Sequence, residues 1–312
     1  MHSITRRDFS LLVAGSALAR GAQSAALPVR PLGKIGFRAA ILAFGAQRIG
    51  EPRSSQEITD RIVAEGIEQG LNYIDTAPNY GVSEERLGRA LKGKRDKVFL
   101  STKIETPTKS QAMEQIRESL KRLQTDHLDC VQIHNIARTD RWSDLDLPLS
   151  ANGALAALRE ARKQGMIRHI GCTTHTAPSR VIRAMDTGEI EILTCVLNFV
   201  DRHIYRLEET LLPEARKRNI PVIAMKALGG PLTPKGAKLA TPQDYRAALR
   251  YVWGLRGVSA AIIGFRSPEE LREGLAAARE FKPLDAAEMR EVTARGKTLA
   301  GEWGPTRGAV AA

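Results

Sequence analysis

Asp75, Tyr80, Lys103 and His134 are the residues of this chain whose types and spacing suit a reaction. Asp75 ends a short apolar run in Tyr73-Ile74-Asp75, and Tyr80 follows five positions later in Asn79-Tyr80-Gly81. Lys103 ends the next run in Ser101-Thr102-Lys103, and His134 ends the one after in Val131-Gln132-Ile133-His134. A lone aspartate at a strand end is commonly a helix cap, and a lone histidine is commonly structural. A lysine closing an apolar strand is different, because burying an ammonium without a partner is costly. Asp75 supplies the counter-charge. Together the four offer a phenol, a cation that lowers its pKa, a carboxylate that holds the cation, and an imidazole that orients a carbonyl oxygen. That set equips a site for proton transfer to an oxygen at a reducing centre.

Side chains so far apart in sequence meet only if the elements between them return each to the same place. Short apolar runs at 40–44, 72–75, 98–103, 128–134, 167–173, 195–198, 221–226 and 260–264 predict eight strands. Helical stretches separate them. Ile58, Ile62, Val63 and Ile67 share one face, as do Met113, Ile116, Leu120 and Leu123, and the spacing returns in Leu155/Leu158, Leu207/Leu211 and Leu271/Leu275. Continuous apolar strands alternating with amphipathic helices imply a parallel sheet covered by helices. Eight such units predict an α/β fold of the (β/α)8 TIM-barrel type, whose chemistry sits at the strand C-termini. An open doubly wound sheet is the weaker fit: Phe44-Gly45-Ala46-Gln47-Arg48-Ile49-Gly50 lacks the GxGxxG turn. Segments 29–32 and 37–40 around Gly33-Lys34-Ile35-Gly36 predict an N-terminal β-hairpin. A C-terminal helix and tail complete the barrel domain, 27–312.

The 312 residues are 43% hydrophobic and 26% charged, with 26 Gly and 15 Pro, which excludes collagen, global disorder and a disulfide scaffold. Cys130, Cys172 and Cys195 form no CxxC pair, and no histidines stand at zinc-finger spacing, so neither a disulfide nor a metal site is expected. The net charge of +12 suits an anionic ligand but selects none. Nucleic acid is not expected as a partner, since no helix-turn-helix, RNP or aromatic-rich basic stretch is present. Residues 1–26 read differently from the rest. Arg6 and Arg7, then Phe9, precede a mildly apolar run at 11–19 and a small-residue exit. This resembles a twin-arginine export signal, with cleavage near 22–26. It implies transient handling by the twin-arginine translocation machinery and a periplasmic mature protein. Neither that run nor any later one reaches the roughly 20 apolar residues that span a bilayer.

At these residues the chain resembles the aldo-keto reductase family over nearly all of 27–312. Gly70–Leu91, GLNYIDTAPNYGVSEERLGRAL, is similar to the family's signature around its Asp and Tyr. Segments 166–171, 212–227 and 262–273 resemble three further family stretches, and Lys103 and His134 follow in order. The resemblance implies a barrel that binds NADP(H), or alternatively NAD(H), without a Rossmann domain. It implies hydride transfer to an aldehyde or ketone carbon, or from the corresponding alcohol, in a monomer. Tyr80 would be the general acid, Lys103 and Asp75 would tune it, and His134 would position the carbonyl. A cofactor-bound redox-sensing or regulatory subunit of the same fold is the alternative.

For the cofactor, the resemblance implies Gly45, Ala46, Thr173 with Thr174, Asn198, Met225, Lys226, Leu228, Gly264, Arg266, Ser267, Glu270 and Glu273. Met225 stands where an aromatic residue usually stacks on the nicotinamide. Its polarisable thioether can pack against a ring face instead. Ser267 and Pro268 open a helix whose start favours anions. Glu270 takes the place of a common Arg, with the Arg266 guanidinium nearby. A carboxylate there repels a 2′-phosphate, so the expected preference for NADP(H) is weakened. The loop 135–152 with Trp142, together with Gln47 and Trp303, are the candidates for covering or lining the mouth.

Overall fold

The computed structural model describes residues 25–230, 239 and 241–310. The expected export signal lies outside them except for Ala25 and Ala26. The hairpin forms from β1 (Val29–Pro31) and β2 (Arg38–Ala40), antiparallel, with Val29 opposite Ala40. Its turn needs two left-handed residues, at φ +50° and +77°, and Gly33 and Gly36 supply them without a side-chain clash.

Eight parallel strands then close into a barrel: β3 (Leu42–Gly45), β4 (Tyr73–Asp75), β5 (Phe99–Ile104), β6 (Leu128–Ile133), β7 (Ile167–Thr174), β8 (Ile192–Val196), β9 (Val222–Met225) and β10 (Val258–Ile263). Each pairs with its sequence neighbours, and β10 closes on β3 through Ala261 opposite Leu42. The connecting helices include α1 (Gln56–Glu68), α2 (Ser83–Ala90), α3 (Lys109–Leu123), α4 (Asp146–Leu149), α5 (Ala154–Lys163), α6 (Pro178–Met185) and α7 (Leu207–Lys217). After β9 come α8 (Pro242–Gly254), α9 (Pro268–Arg279) and the long C-terminal α10 (Ala286–Trp303). Caps mark the starts of several. Ser55, Thr108 and Ser267 accept from backbone N–H groups of α1, α3 and α9, and Asp285 with Glu288 forms a capping box on α10. Among the described residues no helix is long and apolar enough to cross a membrane.

Two apolar clusters divide the core. The larger lies between helices and barrel and includes Ile62, Val63, Ile116, Leu155, Leu158, Leu211, Leu271 and Leu275. The smaller fills the barrel interior: Ala43, Tyr73, Phe99, Cys130, Ile192, Ile223 and Ala260, with Leu32, Ile35 and Phe37 of the hairpin packed against them. Tyr73, Phe99 and Ile192 are the first residues of their strands, so the hairpin plugs the N-terminal end and leaves the C-terminal end open to ligands. All three cysteines are buried and free.

One strand sits elsewhere than expected. The run at 195–198 is the end of β8 and the loop after it; the strand itself begins at Ile192. Thr194 interrupts the apolar pattern because its hydroxyl is spent inside the barrel, donating to Gln132 at 2.7 Å.

Candidate active site

Strand register assembles the polar residues. Asp75 on β4 stands beside Ser101 on β5, and Lys103 on β5 stands beside Gln132 on β6. The Lys103 Nζ donates to Asp75 Oδ1 and to the Thr76 carbonyl at 2.7 Å. Asp75 Oδ2 accepts from Gln132 Nε2 at 2.9 Å, and that amide also donates to Ser101 Oγ at 2.9 Å. Both ions are almost fully buried, so each hydrogen bond offsets desolvation. Burial pushes the Asp75 carboxyl above its usual range, against the pull of Lys103. Burial also works to lower Lys103, but Asp75 and then Tyr80 more than reverse it, and the ammonium is held above its ordinary value.

The Lys103 ammonium lies 4.9 Å from the Tyr80 ring centroid. Sequence reasoning expected this cation to depress the phenol pKa. Lys103 does act in that direction, but burial is the larger effect and Tyr80 ends above its ordinary value. The phenol is therefore protonated at neutral pH and available as a donor. The His134 ring meets Tyr80 edge-on, with centroids 6.0 Å apart. Burial takes His134 down to about 4, with Glu105 opposing only in part, so the imidazole is neutral.

The Tyr80 loop is held by close backbone contact. A Cβ on Gly50 would lie 1.6 Å from the Tyr80 carbonyl oxygen, and one on Gly81 2.3 Å from the Gly50 carbonyl oxygen. Ser83 fixes the same loop from below, with its Oγ donating to the Ala46 carbonyl at 2.8 Å and sharing a 2.9 Å bond with Thr76 Oγ1.

A cavity of about 300 Å³ opens beside Asp75 and Tyr80. Of the expected cofactor residues it is lined by Gly45, Met225, Lys226, Leu228, Gly264, Arg266, Glu270 and Glu273, together with Gln47. Lys226 sits at φ +57°, and burial, aided by Arg307, lowers its ammonium to about 8. A Cβ on Gly45 would meet Ile262 at 2.4 Å, so only glycine keeps that wall open. Ser267 caps α9, and Glu270 accepts from the Arg266 N–H at 2.7 Å.

Ala46, Thr173, Asn198 and Ser267 are not part of the cavity wall. The Asn198 amide is consumed by its own turn. It donates to Asp201 Oδ2 and the Lys226 carbonyl and accepts from the Val200 and Asp201 N–H groups. The Thr173 hydroxyl accepts from Asn135 N at 2.7 Å, and Thr174 donates to the Thr176 carbonyl. Trp142 is fully buried, its indole donating to the His134 carbonyl at 2.9 Å, and Trp303 is buried at the end of α10. Both tryptophans are packing residues, and neither lines the cavity.

Sequence reasoning missed Gln132, Glu105, Arg141, Arg48 and Tyr245. Glu105 binds His134 Nδ1 at 2.7 Å and Arg141 at 2.6 Å; Arg48 and Tyr245 line the cavity. The available signal was a polar residue inside or just after an apolar run. Among the described residues no group of three or more His, Cys, Asp and Glu is placed to hold a metal.

A model described as "Aldo/keto reductase family" matches residues 41–246. The chain is 30% identical over 214 residues to aldo-keto reductase YhdN of Bacillus subtilis (strain 168), covering 62% of this chain and 60% of that relative. It is 25% identical over 307 residues to L-galactose dehydrogenase of Arabidopsis thaliana, covering 86% and 94%. Among solved structures, the holo form of aldo-keto reductase AKR11C1 from Bacillus halodurans superposes with a TM-score of 0.73 over 90% of this chain and 100% of that one, at 24% identity.

Proposed function

The chain belongs to the aldo/keto reductase family, and from that premise we propose that it exchanges hydride between NADP(H) and a small aldehyde or ketone, with Tyr80 as general acid. The observation that carries this reading is the buried Lys103–Asp75 pair beneath a protonated phenol at the edge of a cavity. The cavity fits a dinucleotide in chemistry. Lys226, Arg48 and Arg266 offer positive charge to phosphates, and Met225, Phe265 and Leu228 offer apolar surface to rings. When bound, a reduced nicotinamide supplies the hydride. The chain's own residues supply the rest. Tyr80 donates its phenolic proton to the carbonyl oxygen as charge develops there. Lys103 stabilises the phenolate left behind, and Asp75, fixed by Gln132, keeps Lys103 aimed at Tyr80. His134, neutral and edge-on to Tyr80, bounds the place where the carbonyl group meets the acid.

The export reading joins this chemistry to the first 26 residues. We propose that the protein folds and takes up its cofactor in the cytoplasm, leaves by the twin-arginine route, and works in the periplasm as a monomer. A retained cofactor would let it pass hydride between two small carbonyl and alcohol substrates without exchange. Fractionation tests this: wild type is expected in the periplasm with cofactor bound, and an Arg6→Lys, Arg7→Lys double variant in the cytoplasm. Equal cytoplasmic retention of both would refute the signal.

The activity itself is tested by titrating the purified protein with NADPH and NADH while following cofactor fluorescence, then adding carbonyl compounds. The expected outcome is saturable binding and carbonyl-dependent loss of the reduced cofactor. Binding without turnover for a broad carbonyl panel would favour the redox-sensing alternative.

A further inference from the structure

The chain after α10 returns to the C-terminal end of the barrel and buries an arginine there. The Arg307 side chain is 0% exposed, and its partner Asp201, just past β8, is 3% exposed, so solvent reaches neither charge. Arg307 Nε donates to Asp201 Oδ2 at 2.9 Å, and a terminal guanidinium nitrogen lies 2.7 Å from the same oxygen. That nitrogen also donates to the Gly229 carbonyl, in the loop after β9. Tyr205 pins the main chain beside it: its hydroxyl accepts from the Arg307 N–H at 2.7 Å and donates to the Gly308 carbonyl at 3.3 Å. No role described so far uses this ion pair.

The loop that Arg307 touches is part of the cavity wall. Lys226, Ala227, Leu228 and Gly230 line the cavity, and Arg307 does not. Lys226, Gly229 and Gly230 all have left-handed backbones, at φ +57°, +88° and +84°. A residue with a side chain persists in that region only where its surroundings hold it. Here two carbonyls carry the hold. That of Gly229 accepts from Arg307, and that of Lys226 accepts from the Asn198 amide at 3.1 Å and from the Gly229 N–H at 2.8 Å. The Asn198 amide nitrogen also donates to Asp201 Oδ2 at 2.6 Å, the oxygen that receives Arg307. Tail, β8 loop and cavity wall are thus joined through one carboxylate oxygen. Charge adds a second link. Burial first, and then the Arg307 cation, bring the Lys226 ammonium down to about 8. The docked tail therefore sets a second cation near Lys226, an arrangement that a phosphate in the cavity relieves.

We infer that Arg307 is a positioning residue for the cofactor: docked on Asp201, the tail fixes the cavity-wall loop 226–230 in the form that holds the dinucleotide's phosphates, and the bound cofactor in return holds the tail down. The inference rests on the reading of the cavity as a dinucleotide site; the contacts of the tail do not. Reciprocity follows from linkage: whatever factor the docked tail adds to cofactor affinity, the cofactor adds to tail docking.

The test exploits a property of Arg307 itself. Trypsin cleaves after arginine, and a fully buried one is cut only when the tail lifts. Trypsin is added to the whole protein with and without saturating NADPH or NADH, and loss of the residues after Arg307 is read by intact mass. Bound cofactor is expected to slow that cleavage by about tenfold. Two variants read the same coupling from the other side. Asp201→Asn keeps the cleavage site but removes the charge that Arg307 needs, so cleavage should quicken. Asp201→Asn with Arg307→Leu removes both buried charges together. In each, KM for the cofactor should rise by about tenfold while kcat at saturating cofactor stays within a few-fold, because the Lys103–Asp75 pair is untouched. Cofactor binding that leaves cleavage at Arg307 unslowed overturns the inference, as does a wild-type KM for cofactor in the folded double variant. The protection experiment decides it even if neither variant folds. Failure of wild type to bind either nucleotide would sink the dinucleotide reading and this inference with it, whereas binding without protection sinks this inference alone.

Discussion

Lys103 acts on Tyr80 against a larger opposing effect, because burial raises the phenol more than the cation lowers it. Lys103→Met should therefore raise the phenol pKa further and weaken it as an acid. Turnover is expected to fall about 100-fold or more, with the high-pH limb of the profile displaced upward. The same change strands the buried Asp75 carboxylate, so a stability loss of about 3–5 kcal/mol by urea denaturation should accompany it. Unchanged turnover would remove Lys103 from the mechanism. In the cavity wall, Glu270 spends its carboxylate on the Arg266 N–H at the start of α9, where a phosphate would otherwise be welcome. Glu270→Arg is expected to widen the NADPH-over-NADH affinity ratio by about tenfold or more. An unchanged ratio would mean that this residue does not face the phosphate. The four central residues were legible because each ends, or closely follows, an apolar run. Gln132 and Glu105 were not, since a polar residue beside a strand acquires its partner only when β4, β5 and β6 are placed side by side.

The elements matter most where two loops touch. Gly50 closes a single helical turn after β3, and its backbone packs against the Tyr80 carbonyl so closely that no Cβ fits. Gly50→Ala must push the Tyr80 loop aside. A shift near 1 Å at a catalytic group costs about 100-fold in rate, so turnover should drop far more than helical content by circular dichroism. Wild-type turnover in that variant would show that the loop tolerates the displacement. Strand number, the alternation with helices and the hairpin could all be read from apolar periodicity. The start of β8 could not, because Thr194 faces the interior as a hydrogen-bond donor and looks, in sequence, like a break. Just past β8, Asn198 closes its own turn, donating to Asp201 Oδ2 and accepting from the Asp201 N–H, partners that no spacing in the sequence announces.

Across the whole molecule, the buried neutral His134 links folding to acid. Its folded value of about 4 lies below the ordinary 6.5. Between those values the unfolded chain binds a proton that the folded chain refuses, so stability is lost as pH falls through that window, by up to about 3 kcal/mol. Urea midpoints at pH 7 and pH 4.5 should separate clearly in wild type and less in His134→Asn; equal separation would contradict the assignment. Residues 1–26 carry Arg6, Arg7 and Arg20 against only Asp8, so residues 27–312 are basic in their own right, in keeping with an anionic cofactor. The central claim is that this barrel moves hydride and does not merely hold a nucleotide. The direct measurement supplies NADPH dideuterated at the nicotinamide C4 together with an aldehyde, and reads the product by mass spectrometry. The account predicts one deuterium on the former carbonyl carbon, matched to cofactor oxidised in wild type and lost in Tyr80→Phe while cofactor affinity stays within a few-fold. Saturating cofactor with no deuterium in any product alcohol would contradict it.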